Sequence, residues 1–244
     1  MRPFLLLATR FDDHLADAEY AAFRDFAGLQ EGELTRIRLE QHPMPELDLD
    51  EYSGVFVGGS PFNASDPQSD KSVVQLRVEA EMSSLLDRIV EQDFPFFGAC
   101  YGVGTLGVHR GGVIDRTYGE AVDAVEVRLT EAGVRDPLFT GIPPAFRAWV
   151  GHKEAVTRLP ADATLLAAGD ACPVQAFRVK TNLYATQFHP ELTADDILDR
   201  VRTYRFEGYF EPHELDATEQ TIRSAPPVTW PARLLRTFVD RYAR

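Results

Sequence analysis

Only two cysteines, Cys100 and Cys172, occur in 244 residues, so no disulfide framework holds this chain together and its stability has to come from a packed core. A chain of this length buries such a core without staples, and its 44% hydrophobic content is that of an ordinary globular protein. Basic residues are outnumbered, 25 Lys plus Arg against 38 Asp plus Glu, for a formal charge of -13. That balance repels phosphate backbones and anionic lipid, which sets aside nucleic-acid and membrane-surface partners. Long apolar runs are missing: nothing approaches the roughly 20 residues of a membrane-spanning helix. The run Phe4-Leu5-Leu6-Leu7-Ala8 is too short for a cleavable leader and meets Thr9-Arg10 directly. The expected location is the cytoplasm.

Internal repeats, low-complexity segments and long linkers are absent too. One domain over residues 1–244 is therefore expected, with a core of about residues 1–205 and a helical tail of about 206–244. No Gly-x-x-x-x-Gly-Lys-Ser/Thr phosphate loop occurs. No metal site and no cofactor are expected, because the two cysteines lie far apart and His189-Pro190-Glu191 alone lacks a ligand set.

What is present is an alternation of short apolar runs with amphipathic stretches, the pattern of a parallel sheet covered by helices. Strands are expected at residues 3–8, 34–39, 52–57 and 94–99, with helices at 13–29 and about 71–91 between them. From residue 111 to about 180 the segments become short and β-rich (112–116, 124–130, 146–150, 164–168, 175–180), separated by Gly, Pro and Asp turns. These read as a mixed or antiparallel extension of the same sheet. A further strand at 182–188 precedes a helix at 194–205 that Thr193 can cap, and two more helices fall near 214–223 and 232–242.

The heptamer Phe96-Phe97-Gly98-Ala99-Cys100-Tyr101-Gly102 places a cysteine between glycines at the end of a strand that continues as a helix. This is the thiol form of the nucleophile elbow, a strained strand-to-helix turn that lifts a side chain to the sheet edge. Gly98 and Gly102 are expected where a Cβ collides with the neighbouring element, and the helix N-terminus is expected to lower the thiol pKa and favour thiolate. The alternative is a small buried turn residue.

A cysteine nucleophile needs a base, and the base needs an acceptor that orients its other ring nitrogen. His189 and Glu191, two residues apart at the end of another expected strand, fit those roles, with Pro190 restricting the backbone between them. Both belong at the C-terminal edge of a parallel sheet. Of the other histidines, His14, His42, His109 and His213 lie in helical or loop segments and are expected to be solvated. Acyl transfer also builds charge on a carbonyl oxygen. Tyr101 at the helix N-terminus offers one backbone N–H for it. The turn Val57-Gly58-Gly59-Ser60-Pro61 offers a second, from either Gly59 or Ser60.

Taken together, Gly58-Gly59-Ser60-Pro61, Phe97-Gly98-Ala99-Cys100-Tyr101-Gly102 and Gln187-Phe188-His189-Pro190-Glu191 resemble the triad-type class I glutamine amidotransferase domain, similar to the glutaminase domain of GMP synthetases. The motifs fall in the family's order and at about its spacing, and the resemblance covers about residues 1 to 205. It implies an α/β, flavodoxin-like open sheet, mostly parallel, with helices on both faces and an antiparallel β-rich extension. It also implies that Cys100 attacks glutamine's side-chain amide, that ammonia leaves, and that water releases glutamate from the γ-glutamyl thioester. Trp149-Val150-Gly151-His152 resembles the segment that helps hold the substrate's α-amino and carboxylate ends. By that likeness Gly58, Gly151 and His152 are substrate-side residues, with a structural or solvated His152 as the alternative.

Two positions depart from the pattern. Gly104 stands where the family has a substrate-binding glutamine, and Ser60 stands where it commonly has another glycine. Three functions follow as expectations. The chain is an amidotransferase subunit that delivers ammonia to a separate synthase, for which 244 residues leave no room; or it hydrolyses or transfers other γ-glutamyl compounds; or it is a non-catalytic binding module of the same fold. Intact Cys100, His189 and Glu191 speak against the last. Cys172, in a turn between Ala171 and Pro173, is expected to be structural. The acidic segment 207–219, interleaved with Phe206, Tyr209 and Phe210, is expected to be a packed tail, with a cover for the active-site edge or a partner contact as the alternatives.

Overall fold

A nine-stranded sheet runs through the protein, and its parallel half is hydrophobic on both faces. The computed structural model describes residues 1–206 and 211–244; Tyr209 and Phe210, with the start of the acidic segment, lie outside the described residues. In chain order the elements are β1 (Phe4–Ala8), α1 (Asp13–Ala27), β2 (Leu34–Arg38), β3 (Val55–Val57), α2 (Val73–Gln92), β4 (Phe96–Ala99), α3 (Tyr101–His109), β5 (Val113–Asp115) and β6 (Glu120–Leu129). Then follow α4 (Glu131–Arg135), β7 (Ala145–His152), β8 (Ala155–Arg158), β9 (Ala163–Ala168), β10 (Ala176–Val179), β11 (Leu183–Thr186), α5 (Ala194–Thr203), α6 (Leu215–Ser224) and α7 (Ala232–Tyr242).

The sheet order is β2-β1-β3-β4-β11-β10-β9-β6-β7. The five strands from β2 to β11 are parallel, and β10, β9, β6 and β7 continue antiparallel. Alternation along β1 and β3 divides the core. Leu5, Leu7, Val55 and Val57 face α2 and α3, whereas Phe4, Leu6 and Phe56 face α1 and α7. Because both faces are covered, these strands are apolar throughout. Helix ends follow local chemistry: Asp12 accepts from the Leu15 N–H to start α1, and Gly28, at φ 69°, closes it in the left-handed conformation.

The tail belongs to this architecture. Phe238 of α7 packs its ring on Phe4, Phe56 and Phe97, while Ile222 of α6 joins Trp149 and α5 in a smaller cluster. One expectation needs correcting, because the β-rich middle does not all extend the main sheet. β5 pairs with β8, a strand missed from the sequence, in a separate two-stranded sheet.

The parallel half sets three loops side by side. β3, β4 and β11 are neighbours, so the glycine turn after β3, Cys100 after β4 and His189 beyond β11 emerge at the same C-terminal edge. At the elbow only one of the two glycines is sterically required. A Cβ on Gly98 comes within 2.6 Å of the Gly102 Cα, whereas a Cβ on Gly102 meets Val57 at an ordinary 3.7 Å. Gly98→Ala is therefore expected to cost about 1–3 kcal/mol through overpacking. Gly102→Ala is expected to be neutral or to stabilise by up to about 1 kcal/mol, since alanine is the better helix former. Urea unfolding midpoints of the two variants check the contrast.

Candidate active site

Cys100 adopts φ 53° and ψ -87° between β4 and α3, a left-handed conformation that costs a non-glycine residue about 1–3 kcal/mol and gathers at functional sites. The turn is held by the Cys100 N–H donating to the Thr186 carbonyl at 2.8 Å and by the Val103 N–H donating to the Cys100 carbonyl at 2.9 Å. His189 is anchored by its own N–H, which donates to the Trp149 carbonyl at 2.9 Å. Its Nδ1 lies 2.7 Å from Glu191 Oε1, with both side chains buried. An ionised carboxylate only accepts, so Nδ1 carries the proton and Nε2 presents a lone pair. Cys100 and His189 line one cavity together with Ser60, Gly151, Arg10 and Arg200.

Behind this pair lies a buried charge network that the sequence did not reveal. Arg10 Nε donates to Glu19 Oε1 at 2.8 Å, and the Gly59 N–H donates to the same oxygen at 3.2 Å. Arg200 Nη2 reaches Glu19 Oε1 at 3.3 Å and Glu191 Oε1 at 3.4 Å. Two guanidinium groups thus face two carboxylates. The glycine turn has to be side-chain-free to fit against them: a Cβ on Gly58 lies 2.5 Å from Glu19 Oε2, and one on Gly59 lies 2.6 Å from Arg10 Nη2 and 3.0 Å from His189 Cε1. Ser60, by contrast, keeps an ordinary backbone conformation, outside the left-handed region.

The electrostatics correct one expectation. Burial and then the Glu191 charge push the Cys100 thiol up to about 12, against the pull of Arg10 and Arg200, so the helix N-terminus does not produce a resting thiolate. Burial lowers His189 below its ordinary 6.5, outweighing the support of Glu191. Burial also works against the Glu191 charge, but His189 and Arg200 outweigh it and hold the carboxyl well below the usual range. The resting pair is a thiol beside a neutral imidazole.

A second cavity opens on the other side of Cys100, lined by Ser60, Tyr101, Gly104, His152, Glu154 and Gln187 among others. Here the space beside Gly104 is filled from elsewhere. The Glu154 carboxylate accepts from the Ala64 N–H at 2.8 Å and the Ser65 N–H at 2.7 Å. A Cβ on residue 104 comes 3.0 Å from Glu154 Oε1 and 3.1 Å from Ala64 Cβ. Glu154 was missed in the sequence, although it stands only two residues past His152. Gln187 Oε1 is buried in the same wall with no hydrogen-bond partner among the described residues.

Other histidines and the second cysteine fall into place. His152 is buried, with Nδ1 2.9 Å from the Glu154 carbonyl and Nε2 2.8 Å from Glu120 Oε2. His109 is not solvated as expected: its side chain is 8% exposed and meets Asp87 at 2.9 Å. Cys172 is fully buried. Among the described residues, no helix is long and apolar enough to cross a membrane.

The family described as Glutamine amidotransferase class-I matches residues 27–197. The GMP synthase [glutamine-hydrolyzing] of Thermosipho africanus is 35% identical over 121 residues, 47% of this chain but only 22% of that protein. A GMP synthase [glutamine-hydrolyzing] subunit of Methanocaldococcus jannaschii is 29% identical over 176 residues, covering 68% of this chain and 82% of the relative. A glutamine amidotransferase from Thermotoga maritima has the same fold, with a TM-score of 0.73 at 20% identity over 99% of this chain and 98% of that one. The open, mostly parallel α/β sheet with its antiparallel extension is the fold shared with that structure. The chain belongs to the class-I glutamine amidotransferase family.

Proposed function

We propose that this protein cleaves a γ-glutamyl amide by a cysteine thioester mechanism, with Cys100 as nucleophile, His189 as base and Glu191 as its orienting partner. The observation that carries the reading is the convergence of the strained Cys100 turn and the buried His189–Glu191 pair on one cavity. His189 Nε2 takes the thiol proton as Sγ attacks the carboxamide carbon. Because the thiol is held near 12, proton transfer accompanies attack. His189 then gives that proton to the leaving nitrogen, the C–N bond breaks, and ammonia departs. Water, deprotonated by the same imidazole, hydrolyses the thioester to glutamate, and the proton returns to Sγ. Since the Gly59 N–H is engaged by Glu19, the Ser60 and Tyr101 N–H groups are the donors assigned to the oxyanion. Gly58 shapes the turn, and Gly151 and His152 border the substrate.

In the ammonia-delivering reading, a separate synthase consumes the product, as the naming of the Methanocaldococcus jannaschii relative as a subunit of GMP synthase suggests for that protein. A second reading, hydrolysis of other γ-glutamyl amides, draws on Glu154, which puts a carboxylate where a neutral amide is the family habit and so favours donors with an additional cationic group. Release of ammonia or free amine and of glutamate is measured from glutamine and a panel of γ-glutamyl amines, with Cys100→Ala as the blank. Glutamine as best donor supports the first reading. At least a tenfold preference, about 1.4 kcal/mol, for a cationic γ-glutamyl amine supports the second. Turnover of no γ-glutamyl compound, alone or with partner extract, sinks both.

A further inference from the structure

Cys172 lies far from Cys100 in the sequence, yet the fold brings it to two other ligand-type side chains. Glu120 starts β6, His152 ends β7, and Cys172 sits in the turn between β9 and β10. One ligand atom from each lies within 4.8 Å of the others, and all three side chains are buried. We propose that Glu120, His152 and Cys172 form a binding site for a borderline-soft divalent cation, zinc being the natural occupant.

Three observations support the site. His152 is held for ligation: its Nδ1 donates to the Glu154 carbonyl at 2.9 Å, since a carbonyl only accepts, and its Nε2 shares a proton with Glu120 Oε2 at 2.8 Å, the proton that a metal ion displaces. A ring N–H fixed by a backbone carbonyl is the common outer support of a metal-bound histidine. The donor set, one thiol, one imidazole and one carboxylate, suits zinc and not the hard cations magnesium or calcium. The third observation is Gln175. It is fully buried, its Nε2 donates to Glu120 Oε2 at 2.7 Å, and its Oε1 has no hydrogen-bond partner among the described residues. That orphaned oxygen, beside the cluster, is a candidate fourth donor.

The charges also balance. The Cys172 Sγ–H donates to the Val174 carbonyl at 3.4 Å, and zinc entry displaces this proton to solvent and leaves a thiolate. One thiolate and one carboxylate then neutralise the dication in a region where an uncompensated charge is costly. Occupied, the site ties the turn between β9 and β10 to the strand end whose next residues, Lys153 and Glu154, line the second cavity beside Cys100.

The test uses the full chain after chelator treatment, titrated with zinc against a chromophoric chelator and separately with cobalt(II). One equivalent is expected to bind, with a thiolate-to-cobalt charge-transfer band that persists in Cys100→Ala and vanishes in Cys172→Ala. Glu120→Gln is expected to weaken zinc at least about tenfold, the scale that loss of even an outer partner produces. No binding by the wild-type chain overturns the proposal, as does a band that survives Cys172→Ala or disappears in Cys100→Ala. Should Cys172→Ala lose the native circular dichroism spectrum, Glu120→Gln decides, and unchanged zinc affinity there overturns the site.

Discussion

Cys100→Ala is expected to lower kcat for any γ-glutamyl donor by at least about 10⁴-fold, the scale seen when a covalent nucleophile is removed from a group of residues that acts as a unit. Cys172 does not replace it, being fully buried and lining neither cavity beside Cys100. The state of the thiol gives a second readout on the wild-type protein. With Cys100 held near 12 by burial and the Glu191 charge, its alkylation by iodoacetamide is expected to climb through the neutral and alkaline range without a plateau near neutrality. An early plateau would show a preformed thiolate, and activity surviving in Cys100→Ala would remove the cysteine mechanism altogether.

Glu191→Gln is expected to reduce kcat by about 10⁴-fold, the loss typical of a triad acid. The amide can still accept from His189 Nδ1 and Arg200, so the imidazole stays in place. What disappears is the negative charge that stabilises the imidazolium formed during attack, while Arg10 and Arg200 remain close by. The pH profile distinguishes this from a packing defect. In the proposed mechanism activity requires neutral His189, whose pKa burial lowers from its ordinary value, so kcat/KM is expected to be full above that pKa and to fall as pH drops through it. Since Glu191 supports the protonated ring, its neutralisation lowers the His189 pKa further and moves the acid limb to lower pH. A limb that stays fixed or moves upward contradicts the assigned role.

The parts of this molecule that were legible in the sequence share a physical cause. Strands β1, β3 and β4 are buried on both faces and therefore read as unbroken apolar runs, and a cysteine between glycines after such a run marks a turn that few sequences tolerate. His189 and Glu191 were found because spacing along one strand end is a local property. Arg10, Glu19 and Arg200 were not found, since a charged residue in a sequence looks the same whether it ends up in water or, like Arg10 at 3% exposure, under a loop. Only the approach of β1, α1 and α5 shows the difference. The same holds for Glu154, and for Cys172, whose neighbours Glu120 and His152 come from strands far away in the chain. Gly102 failed in the opposite direction: its motif position suggested a steric need that the actual 3.7 Å contact with Val57 does not impose.

Gly104 and Glu154 carry a consequence for how this protein could have diverged. A side chain at 104 presses on the Glu154 carboxylate and Ala64, while removal of that carboxylate takes the acceptor from the half-buried Ala64 and Ser65 N–H groups, a loss of about 0.5–1.5 kcal/mol for each hydrogen bond. Neither position can drift first without penalty. In evolutionary terms the two are locked, and a lineage moving between a glutamine at 104 and the present arrangement has to cross a destabilised intermediate or change both codons with the loop that carries Ala64.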